Sequence, residues 1–345
     1  MWEERAERAR REMADLAAGG LDLAELYTAA LAVVRQAVPF DQGCWAAVDP
    51  DTLGMTSVTN WRPWPVTDEY AARFAESEYT GAEPNTFREL LRRPRPVARI
   101  SDAPHRDVVR SVRINDLLGP LGLHHELRGA FRVDEACWGV GSIFREGGQD
   151  FSDREVEFLD AVTATLAAAT RVAVRVRRGQ RAAAGGPVIV IAGIHGELRA
   201  ATPAAVLWLA EVEDAAPGGF TMTLHSVVAQ AHASVSGTAR ARMRDAGGNW
   251  VVLQASRLIT GDDPEQMVVT VEPATTHDVV SLLLAAYGVS AREREVCLEL
   301  LSGISTADVA RNLFISPHTV HDHLKALYGK VGVGSRGELV AKLLV

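Results

Sequence analysis

Residues 289–344 read VSAREREVCLELLSGISTADVARNLFISPHTVHDHLKALYGKVGVGSRGELVAKLL, and the punctuation of this stretch decides the fold of the C-terminal part. Ser290 caps a first helix that runs to Leu301 and stops at Gly303. Ser305 caps a second, which ends at Asn312 and carries the small residues Ala307 and Ala310, so that another helix can cross it closely. Leu313-Phe314-Ile315 forms a turn. Ser316 caps a third helix, with Pro317 at its first position, where a missing N–H costs nothing. Ser335 caps a fourth.

The third helix has two faces. Val320, Leu324, Leu327 and Tyr328 fall on one side and are expected to bury. His318, His321, Asp322, Lys325 and Gly329 fall on the other, a face of short polar groups and one cation. A helix-turn-helix lays such a face in the major groove, N-terminal turns nearest the base edges. Exposed N–H groups at the helix start also suit a phosphate oxygen. From Ser290 onward there are seven Lys/Arg, six Asp/Glu and three His, which leaves 29 basic and 38 acidic residues upstream. The acidity lies outside this segment, and the net charge of -8 excludes a nonspecific polyanion binder.

On AREREV, Gly303, STADVA, LFISPHTVHDHLKALYGKVGV and SRGEL, the segment resembles the LuxR/NarL family of helix-turn-helix regulators. The resemblance covers about the last sixth of the chain. It implies an all-α, four-helix DNA-binding domain that acts as a dimer on double-stranded DNA. By position, His321, Asp322 and Lys325 match the family's base-facing residues, Thr319 and Lys330 match its backbone contacts, and Ser316 and His318 open the same helix. Glu293 and Arg336 match a structural acid and base that help hold the helices together. Where the family often has Lys, this chain has His321, which when neutral still donates one hydrogen bond. Asp322 suits a cytosine amino group. The alternative is a helix-turn-helix kept as a protein-interaction or ligand-sensing module that binds no DNA.

Upstream, residues 2–18 read as an exposed or partner-facing helix and Leu21–Val38 as an amphipathic one stopped by Pro39. CWAAVDP and 54–60 pair as strands, residues 61–125 are loops and short helices over a sheet, and strands Leu127–Phe131 and Cys137–Phe144 meet at Asp134-Glu135. Phe151–Arg178 is a long helix with Ser152 as its cap. This order over 20–175 resembles a GAF sensor domain, α+β in class. It implies a small-molecule site between the sheet and the irregular middle, with Trp45, Trp61, Trp64, Phe87 and Trp138 as candidate ligand-binding residues or plain core. RRGQRAAAGG, residues 177–186, is a linker. Residues 187–275 resemble an α+β PAS-like fold: strand PVIVIAG, turn HGEL, helix TPAAVLWLAEV capped by Thr202, a break at PGGF, a helix to Ala233, strands GTARARMRD, NWVVLQASRLI and MVVTVEP, then a helix from His277 to Tyr287.

The expected chain is therefore multidomain: 1–180 GAF-like, 181–278 PAS-like and 279–345 helix-turn-helix. Helices 2–18 and 151–178 are the candidate contacts of a homodimer, and RNA polymerase is a candidate partner. His105, His124 and His125 lack carboxylate or Cys spacing, so no metal is expected. Cys44, Cys137 and Cys297 are far apart and read as reduced thiols, and no cofactor is expected. There is no GxxxxGK[ST], GxSxG or HExxH, and no acidic pair after a first strand as a phosphoreceiver needs, so no enzyme is expected. No run reaches the ~18 apolar residues of a membrane span. The charged start MWEERAERARREM is unlike a signal peptide, which leads to a cytoplasmic expectation.

Overall fold

The computed structural model describes residues 2–64, 67–79, 83–175, 186–215, 219–259 and 266–344. Residues 177–185 of the expected linker, the 180/181 boundary and residues 217–218 of the PGGF break lie outside them. The described chain divides into two compact units, Met1–Pro273 and Ala274–Val345.

The first unit is built on two five-stranded antiparallel sheets. Helices α1 (Trp2–Ala18) and α2 (Leu23–Ala37) precede the first, which holds β1 (Gln42–Val48), β2 (Met55–Asn60), β3 (Val97–Arg99), β4 (His125–Val133) and β5 (Ala136–Arg145). Between β2 and β3 run α3 (Asp68–Tyr79) and α4 (Phe87–Leu90). Helix α5 (His105–Arg110) and a wound segment Arg113–Leu118 precede β4, and α6 (Asp153–Arg175) follows β5. The second sheet holds β6 (Val188–Gly193), β7 (Leu198–Ala201), β8 (Thr238–Arg244), β9 (Trp250–Arg257) and β10 (Gln266–Pro273), with α7 (Pro203–Ala215) and α8 (Gly219–Ala233) between β7 and β8. The orders are β2-β1-β5-β4-β3 and β7-β6-β10-β9-β8, so both sheets follow one plan.

Local chemistry sets these elements. Asp22 accepts from the Glu25 N–H while the Glu25 carboxylate accepts from the Asp22 N–H, a capping box that starts α2. At α6 the Glu155 carboxylate takes both the N–H and the hydroxyl of Ser152 at 2.7 Å. Asp134 and Glu135 turn the β4–β5 hairpin with φ of 50° and 64°, the left-handed pair a two-residue hairpin needs.

Helices α2 and α6 cover one face of the first sheet, and α1 packs against both of them. Tyr27 of α2 hydrogen-bonds Thr170 of α6 at 3.1 Å, and its ring lies edge-on to both members of the Trp45–Phe131 pair. Trp45 faces Gly141 across the β1–β5 pairing, where a side chain would collide with its ring. Ala6, Ala9 and Met13 of α1 and Val156, Phe158, Leu159 and Val162 of α6 are buried. The apolar residues of the two helices expected at a dimer contact are thus spent within the chain.

The two sheets are joined. Arg242 of β8 binds Asp49 through Nε at 2.5 Å and Nη2 at 2.6 Å, and Asp51 through Nη2 at 2.7 Å. Gln230 of α8 donates to the Thr52 carbonyl at 3.0 Å, and Ser226 lies 3.2 Å from the Met55 sulfur. The three cysteines are free thiols, and burial pushes each up to about 12.

Candidate nucleic-acid interface

The second unit contains α9 (Thr276–Ala286), α10 (Ala291–Leu301), α11 (Thr306–Asn312), α12 (Pro317–Val331) and α13 (Arg336–Leu344). Each of the last four starts where its serine predicts: Ser290, Ser305 and Ser316 accept from the N–H three residues on, and Ser335 accepts from the Glu338 N–H at 3.2 Å. The expected boundary at 279 cuts a helix. Val280 and Leu284 of α9 share one buried cluster with Val296, Leu300, Leu324 and Leu327, so the unit begins at Ala274.

Three polar ties fix the helices on that core. Lys330 of α12 meets Glu293 of α10 at 2.6 Å. Arg336 donates to the Leu300 and Ile304 carbonyls at 2.6 and 3.3 Å, closing the end of α10 onto α13. Arg292 donates to the Leu313 carbonyl at 2.6 Å and holds the turn between α11 and α12, where Phe314 sits exposed at φ 55°.

Glu293 makes this frame pH-dependent. Burial pushes its carboxyl up, but bonds from Lys330 and from the Ser290 N–H at 2.8 Å outweigh that and hold it below the ordinary carboxylate range. A depressed folded-state pKa gives stability that is present above the unfolded value and lost as pH falls through the folded one. Glu293→Gln is therefore expected to lower hydrogen-exchange protection of Val296 and Leu327 at neutral pH. The gap to the parent closes as pH drops below roughly 4. A gap independent of pH contradicts this role.

The outer face of α12 is polar as the spacing predicts. Val320, Leu324, Leu327 and Val331 are buried, whereas Tyr328, expected to bury, is half-buried; Ser316, His318, His321, Asp322, Lys325 and Gly329 are exposed and Thr319 is half-buried. Ser316 and Thr319 share a hydroxyl contact at 2.9 Å over the helix start. His318 Nδ1 lies 3.0 Å from the Asp322 carboxylate. Among the described residues, Lys325 has no hydrogen-bond or ion-pair partner. Lys330, expected at the DNA backbone, is instead engaged by Glu293. His321 differs from expectation in a second way. Its Nδ1 lies 2.8 Å from the Pro317 carbonyl, which can only accept, so the neutral ring donates inward and turns the Nε2 acceptor outward.

The five aromatics do not converge. Trp45 packs against the helix layer. Trp61 meets Phe40 and Arg35, and Trp64 meets Phe74 and Phe144. Trp138 is buried. Phe87 lines a cavity, under the Arg128 guanidinium at 3.9 Å. Beside it stand Glu78, Arg113, Glu126 and Arg128, a charged band that was not singled out from the sequence. Its one signal was two charges at alternate positions, Glu126 and Arg128, inside an apolar strand. Among the described residues no group of three or more His, Cys, Asp or Glu could hold a metal ion. No described helix is long and apolar enough to cross a membrane.

Helices α11 and α12 with their short turn define a helix-turn-helix. Residues 288–343 match the luxR family of bacterial regulatory proteins, and this part of the chain is a LuxR-family helix-turn-helix domain. A putative HTH-type transcriptional regulator of Mycobacterium bovis is 46% identical over 48 residues, 14% of this chain and 5% of that protein. A probable transcriptional regulatory protein NarL of Mycobacterium tuberculosis is 42% identical over 55 residues, 16% of this chain and 26% of its own length. The chain thus spans a small part of these relatives. Among solved structures, Escherichia coli SdiA is similar at 11% identity and TM-score 0.35, over 93% of this chain and 90% of that one. A phycoerythrobilin-bound GAF domain from a cyanobacterial phytochrome is similar at 16% identity and TM-score 0.33, over 49% of this chain and 95% of that one.

Proposed function

We propose that the chain is a cytoplasmic transcriptional regulator, not an enzyme, that binds double-stranded DNA sequence-specifically through α12. The observation that carries this is the outer face of α12: exposed short polar groups and an unpaired Lys325, on a helix fixed from behind by Glu293, Arg292 and Arg336. Lys325 reads a guanine edge or a phosphate. The Nε2 of His321 accepts from an exocyclic amine of adenine or cytosine, and Asp322 accepts from cytosine. Ser316, His318 and Thr319 lie at the helix start nearest the backbone. Lys330 acts mainly through Glu293.

The regulator works as a homodimer, with RNA polymerase as a further partner. The sheets, a GAF-like portion over 1–180 and a PAS-like portion after it, take up a small molecule or partner. Its differential affinity for two dimer arrangements decides whether both helices reach their half-sites.

The test is fluorescence anisotropy with His321→Ala combined with Lys325→Ala. Each well-placed base contact contributes about 1–3 kcal/mol, so specific affinity is expected to fall on the order of a hundredfold. The salt dependence falls by about one unit of slope if Lys325 holds a phosphate. Undiminished specific binding by the double variant rules out α12 as the reading element.

A further inference from the structure

The first sheet buries a band of charge between two apolar clusters. Arg128 of β4 pairs across the sheet with Ser142. Val140, of the cluster with Ala46, Val48 and Leu90, lies to one side, and Phe144, of the cluster with Leu118 and Leu123, to the other. Glu126, Arg128 and Arg113 are 0%, 2% and 1% exposed.

Among the described residues, much of this band's bonding capacity is unspent. Arg113 donates to the Pro84 carbonyl at 2.7 Å, yet its Nε and Nη1 have no hydrogen-bond partner. Arg128 meets Glu78 through Nη2, yet its Nε and Nη1 have none. The Glu126 oxygens lie 3.4 Å from Arg113 and 3.8 Å from Arg128, with the Ser142 hydroxyl as the donor beside them. Native interiors leave few such groups, because a buried charge needs both pairing and hydrogen bonds.

A route leads to the band. A cleft of about 980 Å³ between α3 and α4 on one side and α8, β8 and β9 on the other is lined by Thr52, Glu78, Tyr79, Arg88, Gln230 and Gln254. A cavity of about 20 Å³, room for one water, continues past Glu78, Tyr79 and Arg88 to Phe87, Leu91 and Val140. Glu78 lines both spaces and is the carboxylate that occupies Arg128.

The geometry points to a binding site for a small carboxylate with an apolar body, whose head group replaces Glu78 on Arg128 beside Phe87 while its body lies in the cleft. This rests on the reading that the sheets sense a small molecule, and it names the class. Exchanging one carboxylate for another leaves the charge of the band unchanged. The planar head can also take the unspent Nη1, which Glu78 does not. The released Glu78 reaches the water of the cleft. Arg88 is exposed at the cleft and draws anions toward it. A neutral molecule has nothing to offset the loss of Glu78, and a cation meets two guanidiniums. Because the cleft is lined by α3 and α4 on one side and by α8, β8 and β9 on the other, its occupant touches helices packed on the first sheet and strands of the second.

The test is isothermal titration of the full chain with sodium benzoate and sodium octanoate, and with benzamide and octanamide as neutral isosteres. Saturable binding of a carboxylate is expected, with its amide weaker by at least about tenfold. Glu78→Gln keeps an acceptor for Arg128 but removes the competing charge, so carboxylate binding is expected to tighten by about tenfold. A merely structural Glu78 predicts no tightening. Arg128→Gln is expected to abolish binding, and Glu78→Gln keeps the test decisive if that variant does not fold. Absence of saturable binding by both carboxylates, equal binding of the amides, or weaker binding by Glu78→Gln overturns the site. DNA anisotropy on the same preparation separates the two readings. Specific DNA binding without carboxylate binding sinks the site alone, and carboxylate binding without DNA binding sinks the regulator alone.

Discussion

Replacing Arg242 by methionine is expected to cost the first unit about 3–5 kcal/mol, the usual penalty for removing one partner of a buried ion pair. Asp49 is 2% exposed and its carboxylate takes two guanidinium nitrogens and the Arg242 N–H. Without the guanidinium, one backbone donor from Asp51 at 3.0 Å and that of residue 242 remain for a charge cut off from water. Asp49→Asn costs less, because Arg242 still has Asp51 at 2.7 Å and the amide is neutral. The double variant Asp49→Asn/Arg242→Met is expected to recover part of the loss, since no buried charge is left alone. Urea titration of the four proteins checks this. Simple additivity contradicts the coupling. Because the pair joins the end of β1 to β8, amide protection in both sheets should fall together in Arg242→Met.

The second large effect is expected at Gly141. A Cβ there falls 2.2 Å from Trp45 Cδ1, with the indole ring pinned by Tyr27 and Phe131. The ring has no free direction in which to retreat, so Gly141→Ala is expected to reach the upper end of the overpacking range, about 3 kcal/mol. In a unit of this size that lowers Tm by roughly 6–12 °C. Trp45→Leu should suppress the effect, so that the pair loses less than the sum of its members. Thermal melts of the set decide it. A Gly141→Ala protein that melts with the parent places Trp45 elsewhere.

What was legible in the sequence was local. Four serines, each accepting from the N–H three residues on and one of them followed by a proline, fix α10 to α13 almost to the residue. The Asp134-Glu135 turn and the helix caps at Ser152 and Thr202 were legible for the same reason: their partners are a few residues away. Short edge strands were not. Val97–Arg99 follows a proline, and Leu198–Ala201 hides in a turn signal, so pairing to a distant strand alone makes them strands. Helix α9 has the look of a connector, and only burial of Val280 and Leu284 among residues far ahead assigns it to the second unit.

Side-chain direction was the larger gap. An aromatic in a strand faces one of two sides, and spacing does not say which covers a ligand. Trp45 looks into the helix layer, and the register shift at Phe131/Arg132 upsets simple alternation toward Trp138. The charged band was invisible because Arg113 and Arg128 are set against Glu78 and Glu126 by long-range packing. The outward chemistry of His321 depends on one bond to Pro317, and Lys330 on one to Glu293.

The measurement that bears most directly on the regulator is fluorescence anisotropy of the full chain on its own upstream DNA and on a scrambled duplex, at two salt concentrations. A chain ending at Pro273, the limit of the first unit, serves as control. The expected result is tighter binding to the upstream DNA than to the scrambled duplex, weakened steeply by salt through counterion release, and absent from the shortened chain. Equal binding to both duplexes, or specific binding that persists without residues 274–345, contradicts the assignment of DNA recognition to α12.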